Sequence, residues 1–417
     1  MKKKVFFATV LVFIIALCSI GLFACASPCE HEYVYGECKN CGAIDESYMT
    51  KGITFELVGN THYKVTGYTG NSDEVIIPDV YRGKPVTVIE EYAFDGKSSL
   101  TSVIVPNNVS SIGNFAFGGC KGLTEITVPF VGSEKSGSGN TNFGCIFGKS
   151  TFGTTEYNNM NVPKALKTVN ITGGSTIASN AFFGCDKIID VNIPSTVTSI
   201  GNNVFTDCSS LTNINVDSHN AVYSSIDGNL YSKDGKTLIL YACGKAQTSF
   251  TTPSGLKTVK SSAFLESDNL ETVTITDSVE EMGVNVFERC DKLKTVSIGN
   301  GIKTLKSYTF KECASLTNVT LGSSIESIED YAFFKCEELK VLTFPSSVKS
   351  IGFYVFIHCN KLENVEFIDT ENWYNTNDKT KWEKNSGGKL VDVTSKSNNA
   401  NNFLNDFKNY YWYKKVQ

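Results

Sequence analysis

The sequence predicts a β-rich solenoid, a rod of stacked turns with short 3₁₀ or helical corners and a cap at each end. The first observation is a phenylalanine that recurs mostly every 23 residues, at Phe94, Phe117, Phe182, Phe205, Phe264, Phe287, Phe310, Phe333 and Phe356. The second is that a large aliphatic residue lies five positions before each phenylalanine, and leucine or isoleucine lies six positions after it. A fixed period of this length indicates turns that pack only against their neighbours.

Each repeat begins with a short strand. Residues 102–105 alternate between outward and inward positions, which is typical of a strand with one buried face, and Pro106 ends the strand. A second aliphatic residue such as Ile112 then starts another short extended piece. Residues 114–120 are too few for a full α-helix, so we expect a 3₁₀ or single-turn helix around the phenylalanine.

Cysteine follows the repeat phenylalanine by three residues in seven of the nine copies, at Cys120, Cys185, Cys208, Cys290, Cys313, Cys336 and Cys359. Equivalent positions in neighbouring turns lie about 4.8 Å apart. A disulfide needs Cβ atoms near 3.8 Å, and free cysteine packs as a small apolar residue. We therefore interpret these cysteines as a ladder of buried thiols.

The repeats extend over residues 94–367, with insertions near 130–163 and 217–247. The first insertion is rich in Gly, Ser, Thr and Asn. The second contains Asp227-Gly228 and Asp234-Gly235 between apolar runs, a strong signal for β-hairpins. Residues 51–93 are expected to form an N-terminal β cap with the first repeat, and residues 368–417 an aromatic C-terminal cap.

The first 24 residues have the pattern of an export signal, with three lysines followed by a short apolar core. The sequence before Cys25 resembles a bacterial lipobox, which predicts acylation of Cys25 and a lipoprotein held on the outer side of the cell membrane. Two acyl chains suffice for stable anchoring. Ordinary cleavage after Ala26 is the alternative interpretation.

Residues 25–50 are expected to form a tether that carries a second group of cysteines. Three thiols and one imidazole can complete a tetrahedral structural zinc site; they belong to Cys29, His31, Cys38 and Cys41. A disulfide and a reduced, flexible tether are the competing interpretations. Nothing in this segment indicates an open catalytic position.

Charge and motif content exclude several functions. The net charge is −5, and loss of the three signal lysines changes it to −8, which argues against nucleic acid as a partner. The common hydrolase, zinc-protease and phosphate-binding motifs do not occur. The sequence therefore predicts a binding protein and not an enzyme.

Two surfaces are candidate binding sites. The first is the outward face of the strands, a field of small polar residues that suits a glycan or an extended peptide, or that binds nothing; its central members are Thr272, Thr274, Thr295, Ser297, Asn318 and Thr320. The second is an aromatic platform for a sugar ring, formed by Trp373, Trp382 and Trp412. The alternative for these tryptophans is packing over the last turn.

The repeat L-x-x-V-x-[IV]-P…I-G-x-x-A-F-x-x-C resembles the BspA-like leucine-rich repeat of bacterial surface proteins, from about Ile53 to Phe367. The resemblance implies a right-handed solenoid with a stacked parallel sheet. It also implies adhesion to a host matrix protein, another cell or a polymer. No site residues can be transferred, because the shared motif is core packing. A carbohydrate-capturing lipoprotein and a purely structural surface spacer are the alternative functions.

Overall fold

The computed structural model describes residues 33–34, 37–38, 49–137, 140–148 and 161–415, with only the backbone described for the first two segments. Those two segments are strands β1 (Tyr33–Val34) and β2 (Glu37–Cys38), which pair antiparallel. The N-terminal cap contains β3 (Ile53–Val58), β4 (His62–Tyr68), β5 (Glu74–Ile76), β6 (Val80–Tyr81) and β7 (Lys84–Ile89). Strand β4 pairs antiparallel with β3 and parallel with β7, and this sheet lies over the first turn of the solenoid.

The chain from β5 onward is a β-solenoid of about 13 turns, which confirms the predicted fold class. Most turns contribute one strand to each of two rows. The first row continues from β5 through β8 (Ser102–Ile104), β10 (Glu125–Val128), β11 (Thr168–Ile171), β13 (Asp190–Ile193), β15 (Asn213–Val216), β19 (Ser249–Thr251), β21 (Thr272–Ile275), β23 (Thr295–Ile298), β25 (Asn318–Thr320), β27 (Val341–Phe344) and β29 (Asn364–Phe367).

The second row consists mainly of two-residue strands that contain the aliphatic residue before each phenylalanine. Its members after β7 are β9 (Ser111–Ile112), β12 (Thr176–Ile177), β14 (Ser199–Ile200), β20 (Thr258–Val259), β22 (Glu281–Met282), β24 (Thr304–Leu305), β26 (Ser327–Ile328) and β28 (Ser350–Ile351). Neighbours within both rows are parallel and in register at the 23-residue period, for example Val273, Val296 and Val319 in the first row.

The repeat phenylalanines form a stack inside the solenoid. Phe264, Phe287, Phe310 and Phe333 have no solvent exposure, and consecutive ring centroids lie 5.0, 5.4 and 5.2 Å apart. Each ring covers its neighbour, so no turn could bury its own apolar face without the next one. The phenylalanine period therefore reports the rise of the solenoid.

The corner around each phenylalanine is a series of β-turns. Amides form i→i−3 bonds, as a 3₁₀ helix does, but only at alternate residues such as Ala93, Asp95 and Lys97. The amides between them donate to the next turn of the solenoid; Phe94, for example, donates to the Ala116 carbonyl at 2.7 Å. The residues two before and two after each phenylalanine have positive φ, which prevents a continuous helix.

The cysteine ladder is confirmed, and its chemistry is visible. In six turns the Sγ atom lies 2.9–3.2 Å from the phenylalanine carbonyl of the preceding turn; the donors are Cys120, Cys208, Cys290, Cys313, Cys336 and Cys359. Every cysteine side chain in the described part of the chain is buried and free. Burial raises the pKa of the Cys120 thiol to about 12, so the thiols stay protonated and donate.

Both insertions contain a modified turn. In the first, a 3₁₀ helix (Phe143–Ile146) occupies the place between the Phe117 and Phe182 turns and stacks Phe143 on Phe182 at 4.9 Å. In the second, β16 (Tyr223–Ile226), β17 (Asn229–Ser232) and β18 (Thr237–Leu240) form the predicted hairpins. Strand β18 then pairs parallel with β20, which returns the chain to the second row.

The C-terminal cap covers the last turn and the open edge of the second row. It contains β30 (Trp373–Thr376), α1 (Lys379–Glu383), β31 (Lys389–Leu390), α2 (Lys396–Asn401), a π-helical turn (Asn402–Asp406) and β32 (Tyr411–Lys414). Strand β32 pairs antiparallel with β28, which removes an exposed strand edge. Within the described part of the chain, no helix combines the length and apolar character needed to cross a membrane.

Candidate binding surfaces

The predicted polar face exists and is contiguous. Strands β21, β23 and β25 place Thr272, Thr295 and Asn318 side by side in one cross-strand line. A second line, two residues further along each strand, consists of Thr274, Ser297 and Thr320. These six side chains are exposed or half-buried and make no hydrogen bonds to one another. Their hydroxyl and amide groups are therefore available to a ligand.

The same face in the N-terminal half is different, because its amides satisfy one another. Asn192 donates to the Asn170 side chain at 2.5 Å, and Asn215 donates to the Asn192 side chain at 2.9 Å. Asn170 itself donates to the Glu125 carboxylate at 2.6 Å. A ligand would have to break this ladder, so the hydroxyl-rich C-terminal half is the better polar surface.

The polar face ends where the first row of strands is interrupted. Strands β25 and β27 are adjacent but not hydrogen-bonded as a ladder, and the four-stranded sheet stops at β25. A shallow depression of about 480 Å³ lies there, lined by Asn318, Thr320 and Thr343 among others. Val341 is 46% exposed beside it. The depression gives the otherwise flat face some shape.

The tryptophan platform has to be corrected for two of its three residues. Trp373 and Trp412 are 1% and 0% exposed, because the last turn presents Phe367 and needs large apolar residues to cover it. Neither indole can stack on a sugar ring. Trp382 is half-buried and stacks on Tyr411 at 4.7 Å, so it alone keeps an accessible surface.

An aromatic row, which the sequence reading missed, lies on another side of the same turns. It consists of Tyr308, Tyr331, Tyr354, Phe353, Tyr411 and Trp382. The first three residues precede their repeat phenylalanine by two positions, and their centroids lie 5.1 and 5.4 Å apart. Ring contacts of 4.1, 5.3 and 4.7 Å then continue through Phe353 and Tyr411 to Trp382.

The orientation of the rings decides what the row can bind. Tyr308 and Tyr331 are stacked with 10° between their planes, so each covers a face of the other. Solvent meets mainly ring edges and phenol groups along this part of the row. Partial burial raises the pKa of the Tyr331 phenol, which therefore stays protonated as a hydrogen-bond donor at neutral pH. Edges and hydroxyls suit a protein surface better than the open face that a sugar requires.

Charged pairs flank the row. Lys311 contacts Glu288 at 2.5 Å, and Lys335 contacts Glu312 at 2.8 Å. The Lys311 ammonium also lies 5.8 Å from the centre of the Tyr308 ring. An apolar aromatic centre with a charged rim is the general anatomy of a protein–protein interface.

The remaining candidate residues lie outside the side chains that the structure describes. These are Cys25, Cys29, His31 and Cys41, together with the side chain of Cys38, whose backbone belongs to β2. Among the described residues, no group of three or more His, Cys, Asp or Glu side chains is arranged to hold a metal ion. Acylation of Cys25 and zinc binding by the other four residues remain predictions.

The chain matches the family profile described as BspA type leucine-rich repeat region, in six copies over residues 75–139, 145–234 and 239–372. Among solved structures it is similar to a leucine-rich cell surface protein of Faecalibacterium prausnitzii, with 25% identity, a TM-score of 0.49, and coverage of 82% of this chain and 98% of that one. It is also similar to a leucine-rich repeat protein of Bacteroides ovatus, with 23% identity, a TM-score of 0.44, and coverage of 76% and 87%. A comparison with curated proteins finds no match.

Proposed function

The chain belongs to the BspA-type leucine-rich repeat family, and on that premise we propose that it is a non-enzymatic, cell-surface binding scaffold whose ligand is another protein. The ligand belongs to a host matrix or to a neighbouring cell, and the aromatic row is the centre of the contact surface. Acylation at Cys25 would hold the scaffold on the outer side of the membrane.

One observation carries this proposal: the exposed tyrosines occupy a backbone conformation that disfavours them. Tyr308, Tyr331 and Tyr354 have φ of 60°, 58° and 53°. The left-handed region costs an ordinary L-residue roughly 1–2 kcal/mol, whereas asparagine tolerates it. Bulky residues held in this region occur preferentially at functional sites.

Other turns show that tyrosine is not needed for folding at this position. Asn180, Asn203 and Asn285 occupy it with φ of 59°, 54° and 59°. Aromatic stacking contributes about 0.5–1.5 kcal/mol, which only offsets the backbone cost. Tyrosine therefore brings little net stability over asparagine here, but tyrosine is among the residues enriched at binding hot spots.

The carbohydrate alternative now depends on Trp382 and on the polar face, where six side chains such as Thr295 and Asn318 have free hydrogen-bonding groups. It differs from the protein-ligand proposal in which residues matter. The structural spacer differs from both, since it requires no saturable binding at all.

The test is a binding screen with the purified chain against immobilised matrix proteins (fibronectin, fibrinogen, laminin and collagen), whole bacteria and a glycan array. The triple variant Tyr308→Asn, Tyr331→Asn, Tyr354→Asn is compared with the wild-type chain. We expect saturable binding to a protein, weakened at least tenfold in the variant. Its thermal midpoint should stay within about 3 °C of wild type, because asparagine fits the backbone.

The first two turns supply the matched control. Tyr92 and Phe115 occupy the same repeat position with φ of 63° and 55° and stack at 5.1 Å, but lie near the opposite end of the solenoid. Tyr92→Asn with Phe115→Asn should leave binding unchanged. Equal loss in both variants, or binding of glycans alone with loss in Trp382→Ala, would contradict the proposal. Absence of saturable binding to any probe would favour the spacer.

A further inference from the structure

The corners of neighbouring turns are joined by a regular ladder of backbone hydrogen bonds. The amide of each repeat phenylalanine donates to the residue that precedes the next phenylalanine, as Phe182 does to Val204 at 3.0 Å. The amide two residues earlier donates in the same way; Asn180 contacts the Asn202 carbonyl at 3.1 Å. Each corner thus offers its successor amides at alternate residues.

This ladder is interrupted after the corner that contains Phe205. The next corner places Tyr241 where phenylalanine is expected, since Tyr241 donates to Ala263 at 2.8 Å and stacks on Phe264 at 5.3 Å. Only three positions separate Leu238 from Tyr241. Five positions separate the in-register Val259 from Phe264. The Tyr241 corner is therefore two residues too short to cover its predecessor.

The shortened corner leaves two amides exposed to a cavity. Within the described part of the chain, the Asn203 and Phe205 amides have no hydrogen-bond acceptor. The groups on either side are occupied: the Ile200 amide donates to the Tyr223 hydroxyl at 3.0 Å, and the Asp207 amide to the Glu266 carboxylate at 2.6 Å. The unpaired donors are thus a bounded pair at i and i+2.

The cavity itself has a volume of about 720 Å³ and a largely apolar lining. Phe205, Leu211 and Leu230 form its floor, and they are at most 5% exposed. Leu265 and Val284 line it from the next two turns, and Val284 is 37% exposed. The cavity lies at the junction between two apolar cores, one ending at Ala242 and the other beginning at Tyr231.

We propose that this junction cavity binds a short extended peptide segment from a partner protein. Alternate carbonyls of an extended peptide have the i, i+2 spacing that accepts from Asn203 and Phe205. One apolar side chain of the peptide enters the lining. Added backbone pairing gives affinity and a side-chain pocket gives selectivity, as in strand-addition complexes.

The charges nearby select among ligands for these amides. Asp207 and Glu266 border the cavity, and Asp186, Asp268 and Asp291 lie in the adjoining depression against the single cation Arg289. A carboxylate ligand such as a fatty acid would be repelled. A neutral peptide backbone flanked by lysine or arginine is attracted, so the favoured occupant is a peptide with a central apolar residue and basic neighbours.

The experiment uses a fluorescent library of acetylated, amidated pentapeptides with lysine at both ends and Leu, Phe, Val, Ala or Asp at the centre. We expect saturable binding that is strongest for Leu or Phe and lost with Asp. Hydrogen exchange of residues 201–207 should slow at least tenfold when the best peptide is bound, because Asn203 and Phe205 gain acceptors.

Val284→Trp fills the mouth of the cavity and should weaken peptide binding at least tenfold. Val341→Trp is the control, because Val341 is a similarly exposed valine on the polar face. If Val284→Trp does not fold, Leu265→Trp replaces it. The proposal is overturned if no peptide binds, if Val284→Trp has no effect, if exchange at 201–207 is unchanged, or if oleate displaces the peptide.

Discussion

Ser267 is the position at which the thiol ladder can be tested by repairing it. It occupies the cysteine position of the Phe264 turn, is 0% exposed, and its hydroxyl has no hydrogen-bond partner. In six other turns a thiol at this position reaches the carbonyl 26 residues earlier at 2.9–3.2 Å. The corresponding carbonyl for Ser267 belongs to Tyr241, and within the described chain it accepts no other bond.

Ser267→Cys should therefore stabilise the protein. The C–S bond is longer than the C–O bond, so the sulfur can approach the Tyr241 carbonyl that the hydroxyl does not reach. An unpaired buried hydroxyl costs about 1–3 kcal/mol, and cysteine packs as a small apolar residue. We expect the free energy of unfolding to rise by about 1–3 kcal/mol. With an m-value of about 3 kcal/mol/M, the urea midpoint rises by about 0.3–1 M.

The assay is urea unfolding followed by tyrosine and tryptophan fluorescence under reducing conditions, so that no new disulfide forms. Ser267→Ala removes the hydroxyl without adding a donor and should give a smaller gain. Cys313→Ser performs the reverse exchange in an intact turn and should lower the midpoint. The reasoning is refuted if Ser267→Cys leaves the midpoint unchanged or lowers it, or if Ser267→Ala stabilises as much.

Three further predictions concern ionisation and metal binding. Burial raises the pKa of the Cys120 thiol to about 12, so its stabilising effect is full below the unfolded pKa of about 8.5 and is lost as pH rises towards 12; urea midpoints from pH 8 to 9.5 should fall, and less steeply in Cys120→Ala. Arg289 contacts Glu266 at 2.5 Å, and burial raises the pKa of that carboxyl to about 7, so Arg289→Ala should cost about 1–3 kcal/mol at pH 8 and clearly less at pH 5, where Glu266 is protonated; equal losses at both pH values would contradict this. Metal analysis of the reduced chain should find one zinc per molecule, lost in a Cys38→Ser, Cys41→Ser variant; a zinc-free wild-type chain would exclude the site.

The sequence was sufficient for the architecture because the repeat is written in core residues. Phenylalanine, its aliphatic partners and cysteine all face inward, so their period reports stacking directly. The hairpins of the second insertion were also predictable, because Asp-Gly turns such as Asp227-Gly228 are local signals. Local chemistry and periodic burial are the two kinds of information that a single sequence expresses clearly.

The aromatic row was harder to predict, although Tyr308, Tyr331 and Tyr354 follow the same 23-residue period. Their outward position depends on the positive φ two residues before each phenylalanine. Asparagine and serine at that position in the middle turns were the available signal, since asparagine favours this conformation. Tyrosine alone carries no such signal, so the row became visible only with the backbone.

The fate of the tryptophans depended on the end of the solenoid. Whether Trp373 and Trp412 are exposed is decided by how much apolar surface the last turn leaves uncovered, and that is a property of the stack. Phe367 contacts both indoles, with centroids 4.8 and 6.4 Å away. A terminal turn needs such a cover, so aromatic residues beyond the last repeat indicate a cap more strongly than a ligand platform.

The same additivity explains how a solenoid can contain a weakened junction. A turn interacts only with its neighbours, so the two residues missing before Tyr241 weaken one interface and leave the apolar cores on both sides intact. Arg289 spans the junction by contacting Asp207 on one side, at 3.1 Å, and Glu266 on the other. This ion pair holds the two halves together where the backbone ladder does not. If the junction is a peptide site, bound peptide should therefore compensate for Arg289→Ala, whereas a merely structural gap would show no such rescue.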